Sequence, residues 1–301
     1  MFDSLAKRGM NARELAEDRA LDPTGTEALL TALATLGYLE TDADGRYHAT
    51  AAGASLASGS PDTVHDFIGT YNAHAWEMLG RLDELLRGET VTSSHGRPAG
   101  DPFWDGYIRG LFELTRAERD EAARLLPTPH PRTMLDLAGG HGGFAMAMCR
   151  RHPGLQATVL DLEASVRVGE RIVSEQGLAD RVSFRAGDAL KDELGEQLDV
   201  ISIFNLLHHL APESVRELLG RAWQALADGG WVAIGETLRT EPGEPVSVNG
   251  AMSGLVYYAS SGTRNYTRNE IVGWLREAGF ADVEVHPSGT SPWRVLYLAR
   301  R

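Results

Sequence analysis

The stretch Met134-Leu-Asp-Leu-Ala-Gly-Gly-His-Gly-Gly-Phe144 decides the fold of this chain. Its first residues, Met134 to Leu137, predict a short buried strand, and Phe144 to Arg151 predict a helix. Between them lies a loop, Ala138 to Gly143, that carries almost no side chains. Such a loop lets a ligand approach the backbone, and the amides at the start of the helix face that ligand. Because Asp136 adds a carboxylate at the strand end, the sequence predicts a ligand site at this turn.

Two further acidic residues follow at the ends of predicted strands. The strand Gln156 to Leu160 is followed by Asp161, about 20 residues after the loop, where an acidic residue can bind ribose hydroxyls. The strand Val182 to Ala186 is followed by Gly187-Asp188. The glycine loop alone also fits a loose dinucleotide fingerprint, which would suggest an NAD-dependent oxidoreductase. That alternative is disfavoured because it gives the Gly187-Asp188 pair no use.

The series Asp136-x-Ala-Gly-Gly-x-Gly, Asp161 and Gly187-Asp188 resembles the class I S-adenosylmethionine (SAM) methyltransferases. In that family the glycine loop passes the amino-acid part of SAM, the second acid holds the ribose and the third contacts the adenine. Ala138 stands where the family often has Gly, a departure that we expect to be tolerated. The resemblance implies that SAM, and its product S-adenosylhomocysteine, contact Asp136, Gly139, Gly140, Gly142, Asp161, Leu162, Asp188, Ala189, Phe204 and Asn205.

Length and composition limit the possible classes of protein. At 301 residues the chain can form two domains, and its net charge of -13 disfavours nucleic acid as the main partner. No apolar run reaches the length of a membrane span, and Asp3, Lys7 and Arg8 interrupt any signal peptide. The single cysteine, Cys149, excludes an internal disulfide and predicts a cytoplasmic protein.

The N-terminal residues have the order of a winged helix. A short helix is expected over Ala12 to Glu17, and a second follows the capping-box pattern Thr24-Gly-Thr-Glu27 and ends at Gly37. A hairpin turning at Asp44-Gly45 comes next. A winged helix suggests DNA binding or a SAM-sensing regulator. From Met1 to Glu89, however, 15 acidic residues face 7 Lys or Arg, a net charge of -8, which is unfavourable next to phosphate.

Small-molecule O-methyltransferases of the plant caffeate type, and their bacterial relatives, carry such a domain before the SAM domain. The resemblance covers nearly the whole chain and implies a homodimer. Relatives usually begin with further helices, so we expect reduced dimer contacts here or a start that lies upstream. The expected domains are a winged-helix dimerisation domain over 1–100, a connecting helix and linker over 101–131, and a SAM-dependent methyltransferase domain over 132–301.

The segment before the SAM domain is predicted to be helical. A long helix is expected over 62–87, a loop over Gly88 to Pro102, and another helix from Asp101 to Leu126. Trp104 and Tyr107 begin this second helix. They either pack between the domains or form a wall of an aromatic substrate pocket.

From Arg132 onward the pattern alternates strand and helix, which predicts a parallel sheet with right-handed crossovers. We therefore expect an α/β, Rossmann-like SAM methyltransferase domain with a seven-stranded, mostly parallel sheet whose last strand is antiparallel. The predicted strands are Thr133 to Leu137, Gln156 to Leu160, Val182 to Ala186, Asp199 to Phe204, Trp231 to Glu236, Val283 to His286 and Trp293 to Ala299.

The fourth of these strands ends at Phe204-Asn-Leu-Leu-His-His-Leu210, at the edge of the sheet where ligands bind. In the O-methyltransferase family a His-Asp-Trp motif lies here, and its histidine is the general base. That histidine matches His208, and Glu236 matches the acid that orients it. Where the family has a second acid, this chain has Asn265-Tyr266-Thr267, and the Asp and Trp of the motif are His209 and Leu210.

These departures leave alternatives open. His208 is either the base or a structural histidine, and methyl transfer to carbon or nitrogen by proximity alone remains possible. His208 and His209 could also bind a metal, although neighbouring residues point apart on a helix and no third ligand is placed by spacing. We therefore predict no metal. The acceptor is expected to be the hydroxyl of an aromatic or polyketide-like metabolite. The residues predicted to contact it are Trp104, Tyr107, His209, Met252, Tyr257, Ser260, Asn265 and Tyr266.

Overall fold

The computed structural model describes residues 1–89, 94–289, 291 and 293–301. The chain forms two compact units, Met1–Ala73 and His74–Arg301. The division falls inside the segment 62–87, for which a single long helix was predicted. That prediction is wrong, because the segment holds a π-helical turn at Phe67–Tyr71 and two separate helices.

The first unit has the predicted order of helix, helix and hairpin. Its small core consists of Leu5, Met10, Leu15, Leu30 and Leu39. The helices and strands of this unit are α1 (Phe2–Leu5), α2 (Ala12–Arg19), α3 (Pro23–Thr35), β1 (Leu39–Thr41), β2 (Tyr47–Ala49) and α4 (Ala51–Ala54).

The capping box of the first unit is not where the sequence predicted it. Helix α3 begins at Pro23, and the side chain of Asp22 accepts a hydrogen bond from the Gly25 amide at 2.7 Å. Proline suits the first helical position because the amide it lacks would have no partner there. The reciprocal pair of hydrogen bonds that defines a capping box joins Asn11 and Glu14 at the start of α2.

The second unit begins with short helices. The predicted helix from Asp101 to Leu126 is two helices that break at Thr115, whose hydroxyl donates a 2.8 Å hydrogen bond to the carbonyl of Leu111. Such a side-chain bond competes with regular helix geometry. The helices here are α5 (Asn72–Leu79), α6 (Leu82–Leu86), α7 (Phe103–Leu114) and α8 (Arg116–Leu125), with a 3₁₀ turn at Ser94–Gly96.

The rest of the second unit alternates strands and helices as predicted. The elements are β3 (Thr133–Leu137), α9 (Gly143–Arg151), β4 (Gln156–Asp161), α10 (Glu163–Glu175), β5 (Val182–Ala186), β6 (Leu198–Phe204), α11 (Pro212–Ala225), β7 (Leu226–Thr237), α12 (Val248–Ser261), α13 (Arg268–Glu277), β8 (Ala281–Pro287) and β9 (Arg294–Arg300).

In the described part of the chain, these strands form one seven-stranded sheet in the order β5-β4-β3-β6-β7-β9-β8. Strands β3 to β7 are parallel, and β9 is antiparallel to both of its neighbours, as predicted. Strand β7 starts at Leu226 rather than Trp231, because its pairing with β6 extends across an irregularity.

Two cores cover the two faces of the sheet. Successive side chains of a strand point to opposite faces, so Met134 packs with Phe144 and Val159 on one side while Leu135 and Ile201 pack on the other. The parallel strands all run the same way. Their carboxyl ends, which carry the predicted site residues, therefore meet at one edge of the sheet.

Candidate active site

The glycine loop after β3 has a backbone that few side chains would permit. Ala138, Gly140 and Gly142 all have positive φ, at +53°, +49° and +66°. A Cβ atom added at Gly139 would lie 2.4 Å from Cγ of Asp136, which no real Cβ tolerates. The loop thus requires residues without large side chains at these positions, which removes one obstacle to the close approach of a ligand to its backbone.

His141 is the one long side chain within this loop, and both of its ring nitrogens have hydrogen-bond partners. Its Nδ1 accepts the amide of Gly143 at 2.9 Å, and its Nε2 lies 3.2 Å from the hydroxyl of Thr115. Because that hydroxyl already donates to Leu111, it must accept from His141, so the imidazole is the neutral Nε2–H tautomer. Burial lowers the pKa of His141 to about 3, with a smaller effect from Arg119. Sequence reasoning passed over this histidine as a variable loop position.

The three predicted acids lie at the ends of three adjacent strands. Asp136 is buried, its Oδ1 lies 2.5 Å from the hydroxyl of Ser202, and burial raises its pKa to about 7. Asp161 accepts the amides of Gly140 at 2.7 Å and of Leu162 at 2.6 Å, which joins the glycine loop to the next strand. Burial raises the pKa of Asp161.

The third acid, Asp188, is in a more exposed position. Its carboxylate lies 2.8 Å from Nζ of Lys191, and this contact lowers its pKa. Ala189 follows, and its carbonyl accepts a 2.7 Å hydrogen bond from Arg221. The series of acids that suggested a nucleoside site is therefore brought together along one edge of the sheet.

His208 and Glu236 form a buried pair at the ends of β6 and β7. Nδ1 of His208 lies 2.6 Å from Oε2 of Glu236, and the other carboxylate oxygen accepts the amide of Leu207 at 2.7 Å. The two side chains are 3% and 2% exposed. In the neutral imidazole whose Nδ1–H donates to the carboxylate, Nε2 is the nitrogen that can accept a proton.

Aromatic rings surround His208. The ring of Tyr257 stacks on the imidazole, and His209 lies 4.3 Å away between ring centroids. His209 in turn lies 4.6 Å from His95, which the sequence analysis did not predict. Burial lowers the pKa of His209 and lowers that of His95 to about 4, so both rings are neutral at physiological pH. His95 precedes α7 by several residues in a Gly- and Ser-containing segment, which gave no signal of its place in the site.

Four of the other residues predicted to contact the acceptor are described by their burial and their local contacts. Ser260 donates to the carbonyl of Tyr257 at 3.3 Å, and Met252 is half-exposed on α12. Trp104 is buried, with Nε1 donating to the carbonyl of Pro98 at 3.1 Å, and its ring lies 6.1 Å from that of Tyr107. Their contact with an acceptor remains a prediction.

Asn265 and Tyr266 are engaged in packing. The amide of Asn265 donates to the carbonyl of Gly250 at 3.0 Å, and the hydroxyl of Tyr266 donates to the carbonyl of Leu210 at 2.5 Å. The ring of Tyr266 packs edge-on against Trp274 in the core. Any role of these two side chains with the acceptor remains a prediction.

Two further findings concern the residues that the structure describes. Within them, no group of three or more His, Cys, Asp or Glu side chains is arranged to hold a metal ion. None of the helices described combines the length and the hydropathy needed to cross a bilayer.

Comparison with known proteins identifies the family. Residues 101–281 match the O-methyltransferase domain, and residues 1–59 match the O-methyltransferase dimerisation domain. The chain belongs to the O-methyltransferase family. The predicted family and the predicted fold are therefore confirmed, and this O-methyltransferase uses SAM as its methyl donor. The second match supports the predicted homodimer.

Three relatives show how this O-methyltransferase compares with known members. It is 31% identical to a 3-hydroxy-5-methyl-1-naphthoate 3-O-methyltransferase of Streptomyces sahachiroi, over 94% of this chain and 83% of the relative. It is 28% identical to the tetracenomycin polyketide synthesis 8-O-methyl transferase of Streptomyces glaucescens, over 94% and 85%. A methyltransferase of calicheamicin biosynthesis, solved with S-adenosylhomocysteine bound, superimposes with a TM-score of 0.80 at 25% identity, over 99% of this chain and 89% of that one.

Proposed function

We propose that this chain transfers the methyl group of SAM to the hydroxyl of an aromatic or polyketide-like small molecule, with His208 as the general base. The observation that carries the proposal is the buried contact of 2.6 Å between His208 Nδ1 and Glu236 Oε2 at the carboxyl end of the sheet. The names of the two Streptomyces relatives, a naphthoate and a tetracenomycin methyltransferase, support the class of acceptor.

The glycine loop and the strand-end acids fit SAM. The backbone at Gly139, Gly140 and Gly142 suits the amino-acid part of SAM, because a ligand can approach a chain without side chains closely. Glycine is required there, since a Cβ at Gly139 would meet Asp136 and the other two positions have positive φ. Asp161 uses its oxygens for two backbone amides and, as a carboxylate with about four lone-pair sites, can still accept from ribose hydroxyls. We assign the adenine contact to Asp188. Bound SAM supplies the methyl group on a positively charged sulfur.

The residues of this chain would contribute position and proton transfer. A hydroxyl is a weak nucleophile, and Nε2 of His208 would accept its proton as the bond to the methyl group forms. Glu236 would hold the imidazole in the required tautomer and stabilise the imidazolium. A base of this kind contributes about 10²- to 10⁴-fold in rate, and holding the reactants in line contributes much of the rest.

Two further predictions from the sequence, the alternative activity and the cellular location, remain proposals. Methyl transfer to carbon or nitrogen by proximity alone is the alternative activity, and it would need no base at His208. A cytoplasmic location agrees with the single cysteine, Cys149, which is buried and free. The NAD-dependent alternative has no support from the family.

The test uses purified protein, SAM with a labelled methyl group, and a panel of hydroxylated arenes, each paired with its own methyl ether as a blocked control. Product NMR distinguishes methyl on oxygen from methyl on carbon or nitrogen. We expect O-methylation of at least one free phenol and none of its ether. If no member of the panel is methylated at oxygen while another atom is, the alternative activity is correct.

The role of the pair is tested by His208→Asn and Glu236→Gln. His208→Asn removes the base and leaves a smaller polar side chain, whereas Glu236→Gln keeps the size of the side chain and removes the charge that orients the base. We expect kcat to fall about 10²- to 10⁴-fold for His208→Asn, with binding of S-adenosylhomocysteine retained. An unchanged kcat in His208→Asn would refute the base and favour transfer by proximity.

A further inference from the structure

Arg294 forms a largely buried ion pair with Glu118. This arginine begins β9, and its Nε lies 2.6 Å from Oε1 of Glu118 on α8. The two side chains are only 13% and 15% exposed, and burial raises the pKa of Glu118. Taking both charges out of water is costly, so a buried pair is weak evidence for stability alone. We therefore look for a role of this ion pair other than stabilising the fold.

The same guanidinium reaches the strand that carries His208. Nη2 of Arg294 donates to Oδ1 of Asn205 at 2.6 Å. Asn205 directly follows β6 and has a φ of +55°, the left-handed conformation that Asn tolerates better than most residues. Its amide donates to the carbonyl of Gly235 on β7 at 2.9 Å. Asn205 is thus fixed by its backbone on one side and by its side chain on the other.

The turn at Asn205 sets the position of the general base. After it the chain enters the 3₁₀ turn Leu207–His209, and the amide of Leu207 reaches Glu236. If Asn205 left the left-handed region, the chain would leave β6 in another direction, and His208 would not meet Glu236. A displacement of 1 Å in such a site can cost about 10²-fold in rate.

We propose that Arg294, held by Glu118, is a positioning residue that fixes the left-handed turn at Asn205 and through it the ring of His208. The contact of Asn205 with SAM that the resemblance implies stays a prediction, while its side-chain oxygen accepts from Arg294 in the free chain. The inference rests on the proposed function only where it concerns rate, because the position of the ring is a property of the chain itself.

A cavity beside the ion pair offers the competing explanation. It has a volume of only about 20 Å³ and is lined by Glu118 and Arg294 together with apolar residues that include Phe204 and Leu125. Arg294 would in that case bind part of the acceptor directly. The two explanations differ in what they predict for the ring of His208 in the free protein.

The first experiment follows His208 by NMR in protein labelled at the histidine Cε1 carbons, with His208→Asn identifying the signal. Removing Arg294 alone would leave Glu118 buried and unpaired, so the test variant is the double change Glu118→Gln with Arg294→Gln. Glu118→Gln alone is the matched control: it removes the counter-charge, but its amide oxygen can still accept from Nε of Arg294 and so hold the hydrogen bond from Arg294 to Asn205. We expect the His208 signal to shift in the double variant and to stay in place in the control.

The second experiment adds Asn205→Gly. Glycine adopts positive φ without help, so in this background the double change at 118 and 294 should no longer move the His208 signal. With an acceptor from the panel, the double change should lower kcat about 10²-fold when Asn205 is present and less than twofold when Gly replaces it.

An unmoved His208 signal in the double variant would overturn the proposal, as would an equal shift with Asn205 and with Gly. A raised KM for the acceptor with unchanged kcat and an unmoved signal would assign Arg294 to acceptor binding instead. If no acceptor is methylated, the proposed function fails, while the NMR result still decides the role of Arg294.

Discussion

The ring of Tyr257 lies face to face with the imidazole of His208, with centroids 3.6 Å apart and planes inclined by 14°. Tyr257 belongs to α12, whereas His208 follows β6, so the stack joins two elements that are far apart in the chain. Glu236 fixes one edge of the imidazole, and Tyr257 covers one of its faces. The imidazole of His208 is thereby held in position.

The stack predicts that the ring of Tyr257 matters more than its hydroxyl. Tyr257→Phe loses only a 3.3 Å hydrogen bond to Thr237 and should have a kcat close to that of the wild type. Tyr257→Leu loses the stacked ring, worth about 0.5–1.5 kcal/mol, and should lower kcat by up to about tenfold. Steady-state rates at saturating SAM measure both. If Tyr257→Phe lowered kcat as much as Tyr257→Leu, the hydroxyl rather than the stacked ring would be responsible for the loss of rate.

Ala138 should be a site where glycine stabilises the protein. A left-handed conformation costs a residue with a Cβ about 1–2 kcal/mol, and Ala138 has a φ of +53°. Glycine removes that cost but loses more chain entropy on folding. Ala138→Gly should therefore raise the free energy of unfolding by about 0.5–1 kcal/mol, as measured by urea titration.

The control for Ala138→Gly is Ala147→Gly, in the middle of α9. There the φ is that of a helix, and glycine should lower the free energy of unfolding by about 1 kcal/mol. Equal destabilisation by both substitutions would show that Ala138 carries no strain.

Short-range patterns in the sequence were sufficient to predict the strands and the acidic residues at their ends. Apolar runs placed the strands, and Asp136, Asp161 and Asp188 follow from the rule that acids at the ends of parallel strands meet at one edge. His208 and Glu236 were predicted from the resemblance to the family, each just after or at the end of a recognisable strand. Their contact depends only on β6 and β7 being neighbours in the sheet.

Contacts between distant segments could not be predicted in this way. Arg294 and Asn205 are 89 positions apart, and nothing in either local sequence indicates the other. The break at Thr115 depends on its hydroxyl contacts with Leu111 and His141, which a helical pattern does not reveal. The packing of the Tyr266 ring in the core likewise depends on distant residues, while its predicted contact with the acceptor stays a prediction.

Asp136 should make stability depend on pH. Burial raises its pKa to about 7 in the folded protein, above about 3.9 for an unfolded Asp. The folded state therefore holds the proton more tightly, and the contribution of Asp136 is fully present below about pH 4 and lost as pH rises through about 7. Asp136→Asn does not titrate. Across that window the stability of the wild type relative to the variant should fall by up to about 1.4 kcal/mol per pH unit.

Urea titrations of the wild type and Asp136→Asn at several pH values across the window measure this slope. Asn keeps an oxygen for the hydroxyl of Ser202, which lies 2.5 Å from Asp136 Oδ1, so loss of that contact does not confound the comparison. Parallel stability curves for the two proteins would show that Asp136 is ionised in the folded state throughout.

The contact between His141 and Thr115 should tighten the binding of SAM by holding the glycine loop in place before the ligand arrives. Thr115→Val keeps the shape of the side chain but leaves the Nε2–H of His141 buried without its acceptor at 3.2 Å. An unmade buried hydrogen bond costs about 1–3 kcal/mol, and the loop can avoid that cost by moving. We expect the Kd of S-adenosylhomocysteine, measured by calorimetry, to rise about fivefold or more.

The matched control is Thr158→Val on β4, whose hydroxyl bonds to Ser183 rather than to the loop. It should leave the Kd unchanged. His141→Asn can still accept the amide of Gly143 and loses the same contact with Thr115, so adding Thr115→Val to it should cost little more. Equal Kd values for Thr115→Val and Thr158→Val would mean that the loop keeps its geometry through the Asp161–Gly140 hydrogen bond alone.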